Sequence, residues 1–282
     1  MKLIKTVHEM QDWSTRTKRR GDRVGFVPTM GFLHQGHVSL LEIARPLCQG
    51  LVLSIFVNPT QFGPTEDLDA YPRDLENDLA LAEKAGVDAV FLPTSDLMYP
   101  DHFQTEISLS ALPGHLCGRF RPVHFAGVAT VVTKLFNIVR PDMAVFGEKD
   151  YQQLQVIRQM VRDLNFPIEI VGGPIVREAD GLAMSSRNAY LSPSQRASAV
   201  SLSRALETAR DLLRKGSPSA AELVETITAF IHTHDQTDVE YVEICHPQTL
   251  EPVTVLSRPF LIALAVKVGT TRLIDNALFN AS

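Results

Sequence analysis

Cysteine is scarce in this chain. Only Cys48, Cys117 and Cys245 occur, an odd number at wide spacings. That excludes a disulfide framework and a cysteine-built zinc site, and it fits a reducing compartment. Long apolar runs are also missing: none reaches the roughly 18 residues that a membrane helix requires. The opening stretch MKLIKTVHEMQDWSTRTKRRG has neither a long apolar core nor a small-residue cleavage site, so no secretory leader is read there. A cytoplasmic protein without a membrane partner is expected. Basic charge is not in excess. With 27 Lys and Arg against 32 Asp and Glu the net charge is −5, which argues against a nucleic-acid scaffold. Repeats and low-complexity segments are absent as well.

What remains is 282 residues, 45% of them hydrophobic and 21% charged, enough for one large domain or two. Short apolar runs alternate with helical patterns. RVGFVPT (23–29), GLVLSIFVNP (50–59) and VDAVFLPT (87–94) read as strands, as do the start of DMAVFGEKD (142–150) and FPIEIVGGPIVR (166–177). Helices are expected over 37–48, 75–86, 127–141 and 151–165. A near-continuous apolar strand is buried on both faces, the mark of a parallel sheet wrapped by helices. The reading is an α/β fold, a doubly wound parallel sheet of the Rossmann-like kind over 1–175. The character changes near 174–176. One long helix over 191–216, capped by Ser192 with Pro193 in its first turn, is followed by a second starting at Ser217-Pro218 and then by strands. Residues 176–282 are read as a smaller C-terminal α+β domain.

Five polar, glycine-containing loops lie at or near the predicted strand ends. In PTMGFLHQGH, Gly31 and Gly36 allow close backbone approach, and His34 and His37 stand at a helix start. A helix start attracts phosphate, and imidazoles there can donate to it. A metal pair or plain structural histidines fit the same spacing. In VNPTQFGPTEDLDAYPRD, Asn58 and Gln61 are uncharged hydrogen-bonders suited to a polar small molecule, while Asp67, Asp69 and Asp74 could attract cations. GHLCGRFRPVHFAGVAT offers Arg119 and Arg121 to a carboxylate or phosphate. In AVFGEKDYQQLQ, Gly147 ends a strand and Glu148-Lys149-Asp150 opens a helix. Lys149 can neutralise phosphate, Asp150 can serve a ribose or Mg²⁺, and Gln153 follows one turn on. In READGLAMSSRNAYLS, Ser185, Ser186, Arg187 and Asn188 follow a flexible Asp180-Gly181, as a mobile loop closing over a triphosphate would require.

HQGH (34–37) and AMSSR (183–187) resemble the two signature motifs of the class I aminoacyl-tRNA synthetase and nucleotidyltransferase superfamily. Within it, VPTMGFLHQGHVSLL, SIFVNPTQFGPTEDLDAYPRD, GRFRPVHFAGVATVVTKLFNIVRPD, FGEKDYQQL and GLAMSSRNAYLS resemble the pantothenate synthetase family in order and spacing. Ala183 stands where the wider superfamily has a lysine, as is usual in that family. The resemblance implies ATP-dependent condensation of pantoate with β-alanine through a pantoyl adenylate, by a cytoplasmic homodimer that uses Mg²⁺. It implies that Met30, Gly31, His34 and His37 line the ATP site, with His37 in the proton-donor position. Gly147, Lys149, Asp150, Met184, Ser185, Ser186 and Arg187 would bind ATP, with Val176 on the adenine side and the 176–282 domain as a lid. Gln61 and Gln153 would hold pantoate, with Tyr71 and Arg121 toward the β-alanine and pantoate end. The family's metal-contacting acidic positions fall at 77–78. Asn77 stands at one and Asp78 at the other, which points to a metal held mainly by ATP.

Overall fold

The computed structural model describes residues 1–64 and 66–280. It opens with β1 (Lys2–Ile4) and α1 (Val7–Arg19), a strand and a helix that the sequence pattern did not announce. There follow β2 (Val24–Thr29), α2 (Gln35–Ala44), β3 (Gly50–Ile55), α3 (Leu75–Lys84), β4 (Ala89–Phe91) and the short α4 (Ser95–Met98) and α5 (Leu116–Phe120). Then come α6 (His124–Val139), β5 (Met143–Gly147), α7 (Tyr151–Asp163) and β6 (Glu169–Gly173). Six strands make one sheet in the order β1-β4-β3-β2-β5-β6, every pairing parallel.

The apolar runs are explained by which way successive residues point. Phe26, Val52, Ala144 and Phe146 join one core with α6 and α7, while Val27, Leu51, Leu53 and Val145 join a second core with α2 on the other face. Side chains alternate faces along a strand, and here both faces are covered, so no polar residue interrupts β3 except the buried Ser54. Helix α6 begins three residues earlier than its apolar pattern suggested. It stops where Arg140 takes a left-handed conformation (φ 50°) before Pro141.

The C-terminal stretch holds α8 (Pro193–Ala199), α9 (Ser201–Lys215), α10 (Ala220–His232) and the strands β7 (Thr237–Cys245), β8 (Phe260–Val268) and β9 (Thr271–Phe279). The strands form an antiparallel sheet in that order, covered by the helices around a third core. The expected single helix over 191–216 is two. Val200 keeps helical angles (φ −63°, ψ −20°), so the break lies in the hydrogen bonding rather than the backbone conformation. The next helix is capped by Ser219 and not Ser217, because Glu222, three residues on, accepts the Ser219 N–H on its carboxylate at 2.7 Å.

Packing divides the chain into two units. The first is Met1–Ser110, Arg121–Glu148 and Gln153–Pro174; the second is Ala111–Phe120, Lys149–Gln152 and Ile175–Ser282.

Candidate active site

In the first unit the chain runs outward from β2 through β3 and β4 on one side, and from β5 to β6 on the other. The direction of winding therefore switches between β2 and β5, the place where open α/β sheets bind ligands beyond the strand ends. Because the strands are parallel, the segments that leave β2, β3 and β5 share one rim. Met30 to His34 follow β2, Asn58 to Gln61 follow β3, and Gly147 is the last residue of β5. At Gly147 nothing lies within 4 Å of where a Cβ would sit. No neighbour demands glycine there, and the bare backbone is open to close approach.

The two histidines sit at the start of α2, two residues deeper in the helix frame than the pattern implied. His34 is the N-cap and His37 the third helical residue. Gly36 N–H donates to His34 Nδ1 at 3.1 Å, and His34 N–H donates to His37 Nδ1 at 3.3 Å. The rings stack with centroids 4.0 Å apart. Each bond satisfies a helix-end N–H, as the two arms of a serine–glutamate capping box do. The pair also fixes the tautomer. An Nδ1 that accepts carries no proton, so the proton of each neutral ring resides on Nε2, and Nε2 is the ring's donor.

Gln61 lies in the turn after β3 and is nearly buried. Its Oε1 accepts from Asn58 Nδ2 at 3.2 Å, its Nε2 reaches Met30 Sδ at 2.9 Å, and its carbonyl pairs with His124 Nδ1 at 2.9 Å. Asn58 differs from expectation. Its amide also donates to the Gly127 carbonyl at 3.2 Å, and its Oδ1 accepts from Tyr99 OH at 2.7 Å and Thr60 Oγ1 at 3.1 Å. With 1% exposure and both ends of its amide bonded within the protein, Asn58 fastens Gln61 rather than reaching a ligand. Gly127 permits the fastening: a Cβ there would lie 2.4 Å from the Thr60 carbonyl oxygen and 2.7 Å from Gln61 Cα.

Arg121 is not an open guanidinium. Its Nε and Nη2 fork onto the Glu66 carboxylate at 2.8 and 2.5 Å. Burial alone would raise the Glu66 carboxyl, but the Arg121 fork outweighs it and holds the group below the ordinary carboxylate value. Tyr71 is buried against Phe62, ring centroids 6.1 Å apart. Gln153 is half-buried in the first turn of α7.

Arg119, Asp74 and Asp78, expected as anion or cation sites, are spent on structure. Arg119 pairs with Glu243 inside the second unit, and Asp74 caps α3 by accepting the Asn77 N–H at 3.2 Å. Asp78 does not fit a metal. It is 1% exposed, and its two carboxylate oxygens accept the Phe32 and Leu33 N–H groups at 2.9 and 2.6 Å. Burial raises its carboxyl while those two N–H groups pull it back, with a net rise. Among the described residues no cluster of three or more His, Cys, Asp or Glu could hold a metal ion, and no helix is long and apolar enough to cross a membrane.

In the second unit Lys149 is mostly buried, with Nζ 3.7 Å from Asp150 and its carbonyl held by Asn276 Nδ2 at 3.0 Å. The 176–188 segment, read in sequence as part of a loop, carries regular hydrogen bonds of its own. It is a hairpin: Met184 N–H donates to Val176 O at 2.9 Å and Glu178 N–H to Leu182 O at 2.8 Å, around Gly181 in a left-handed turn. Arg177 forks onto the buried Asp275 at 2.6 and 3.0 Å, and Asn188 and Arg196 both hold Glu178. Val176 and Met184 are thus brought side by side, and Ser185 caps the short turn that carries Ser186 and Arg187. Glu66, His124, Gly127 and Asn276 were missed in the sequence, and Asp78 was noticed there only as a metal position. Of these only Gly127, a glycine opening the expected 127–141 helix, carried a local signal.

A doubly wound parallel sheet with a capped helix start and polar turns at its switch point defines an α/β protein of the class in which ligands bind at the carboxyl rim of the strands. The chain belongs to the pantoate-beta-alanine ligase family, whose model matches residues 2–278. It is 57% identical over 276 residues to the pantothenate synthetase of Desulfatibacillum aliphaticivorans, with 98% of each chain covered. It is 56% identical over 278 residues to that of Trichlorobacter lovleyi, covering 99% of this chain and 98% of the other. Among solved structures, the pantothenate synthetase of Thermus thermophilus is 46% identical with a TM-score of 0.95 and 100% of both chains covered. The pantoate-beta-alanine ligase of Francisella tularensis, complexed with beta-gamma ATP and beta-alanine, is 32% identical with a TM-score of 0.80 over 99% of this chain and 97% of that one. Membership makes this chain an enzyme, a ligase.

Proposed function

We propose that this ligase condenses (R)-pantoate with β-alanine through an enzyme-bound pantoyl adenylate. A carboxylate is a poor electrophile until one oxygen becomes a good leaving group. Attack of a pantoate carboxylate oxygen on the α-phosphorus of ATP expels pyrophosphate and leaves an acyl phosphate anhydride. Attack of the β-alanine amine on its acyl carbon then expels AMP and forms the amide. Both partners in the first step are anions, so the site must supply hydrogen-bond donors and positive charge where negative charge accumulates.

The observation that carries this reading is the capped histidine pair, whose Nδ1 atoms accept backbone N–H groups and whose Nε2–H groups are therefore the donors at the start of α2. His37 acts on the phosphates as negative charge develops, and His34 positions ATP beside Met30 and Gly31. Gly147, Lys149, Asp150, Val176 and Met184 to Arg187 complete the ATP site, with Lys149 and Arg187 supplying charge and 176–282 serving as a lid. Gln61 and Gln153 hold pantoate. A substrate carboxylate competes with Glu66 for Arg121, near Tyr71. Mg²⁺ would be held mainly by ATP, since both Asp78 oxygens already accept backbone N–H groups. The enzyme works as a cytoplasmic homodimer.

The test is pyrophosphate release from ATP, first with pantoate alone and then with β-alanine added. Release with pantoate alone, with AMP and pantothenate accumulating on addition of the amine, is the expected result. A stable nucleotidyl product with no use for the amine would make this a nucleotidylyltransferase, and ATP binding without pyrophosphate release would make it a nucleotide sensor.

A further inference from the structure

The turn that carries the histidines is strained before it reaches them. Gly31 (φ 86°) and Phe32 (φ 51°) are consecutive left-handed residues, and only the first is a glycine. In this turn the Phe32 and Leu33 N–H groups converge on a single anion. Here the anion comes from within the protein. Asp78, on α3, is 46 and 45 positions away in sequence, and its Oδ2 and Oδ1 accept the Phe32 and Leu33 N–H groups at 2.9 and 2.6 Å. The fit is close: a Cβ on Gly31 would lie 2.9 Å from Asp78 Oδ2 and 3.0 Å from Ile55 Cγ2. Leu33 is the residue before the His34 N-cap.

We infer that Asp78 is a positioning residue, whose carboxylate clamps the 31–33 turn and thereby sets the direction in which His34 and His37 present their Nε2–H groups. Its second oxygen is essential because each oxygen holds a different N–H. Asparagine has the same shape, but one of its two positions is a donor, which would face a donor and break one arm of the clamp. A donor displaced by a fraction of an ångström still binds ground-state ATP, yet it no longer meets charge that appears only in the transition state.

The experiment compares wild type with Asp78→Asn in two readouts. Hydrogen–deuterium exchange of the 27–36 segment reads the clamp itself, whatever the enzyme does. The Phe32 and Leu33 amides are slow in wild type, and in the variant they exchange at least about tenfold faster, the scale of one lost buried hydrogen bond. The second readout rests on the ligase reading. Pyrophosphate release with saturating pantoate, normalised to titrated ATP sites so that loss of folded protein does not count, falls at least about tenfold while the ATP dissociation constant moves by less than about threefold. Wild-type amides that exchange as fast as those of open loops overturn the clamp, and so does unchanged exchange in the variant. Faster exchange with an unchanged rate overturns its catalytic consequence. Were wild type itself to release no pyrophosphate, the ligase reading would fall while the exchange data still decided the clamp.

Discussion

A single methyl group at Gly127 should disable the side of the site that is proposed to hold pantoate. Helix α6 crosses directly under the turn that carries Gln61. A Cβ at 127 would lie 2.4 Å from the Thr60 carbonyl oxygen, where real contacts stay above 3.0 Å. The opposing atom is backbone and cannot swing away, so the turn must retreat by at least 3.0 − 2.4 = 0.6 Å, and by 3.4 − 2.4 = 1.0 Å to reach an ordinary contact. The Asn58 bond to the Gly127 carbonyl and the Gln61 bond to Met30 are strained by the same movement. Overpacking of this kind costs about 1–3 kcal/mol, and each kcal/mol lowers Tm by about 2–4 °C in a chain of this size. A misplacement approaching 1 Å costs on the order of 10²-fold in rate. Gly127→Ala is therefore expected to raise the KM for pantoate and to lower kcat/KM for it by roughly 10- to 100-fold, with ATP binding retained. Initial rates at varied pantoate, a thermal melt and an ATP titration measure all three. A variant with the wild-type KM for pantoate and an unshifted Tm would refute the claim that Gln61 is placed by this contact.

Other consequences are as testable. His37→Ala and Lys149→Ala should each slow pyrophosphate release at least about 100-fold, the scale of one transition-state donor; rates near wild type would remove them from the chemistry. The Glu66 carboxyl lies below its ordinary 4.5 when folded, so the ion pair with Arg121 stabilises fully above that value and loses its contribution as pH falls below it. Urea unfolding at pH 4 and pH 6 should show wild type losing more stability on acidification than Glu66→Gln; equal losses would show the pair to be without thermodynamic effect. Burial pushes the Cys245 thiol up to about 12 and raises Cys48, and Cys117 is buried too. A disulfide-exchange reagent at pH 8 should therefore find almost no reactive thiol in native protein and three in denaturant. A rapidly reacting native thiol contradicts that burial.

The parts legible in the sequence were those with local causes. The run over 50–55 could be read because both faces of β3 are buried, and the stop of α6 because Pro141 follows. β1 was missed because three residues hold no period, and β9 because the buried Asp275 and Asn276 interrupt its apolar pattern. Those two polar residues bond Arg177 and the Lys149 carbonyl, which are 98 and 127 positions away. The site divides in the same way. The histidine pair announced itself as a motif at a strand-to-helix turn, because the capping is local. That Arg121 would already hold Glu66, and that Asp78 would turn to backbone N–H groups rather than a metal, depends on contacts 55 and 46 residues apart. No window in the sequence spans these.

The interleaving of the two units bears on how the chain must be made. It passes between them at 110/111, 120/121, 148/149, 152/153 and 174/175, five times. The 111–120 piece finds its partners late: Cys117 bonds Tyr241 and contacts Arg272, and Phe120 stacks on Tyr241. A ribosome that has delivered only the parallel sheet has therefore delivered a sheet with a loose insert, whose Cys117 and Phe120 still await the partners that follow residue 240. The second unit draws 111–120 and 149–152 from within the sequence span of the first. Cutting the chain at 175 should give two insoluble fragments rather than two working domains.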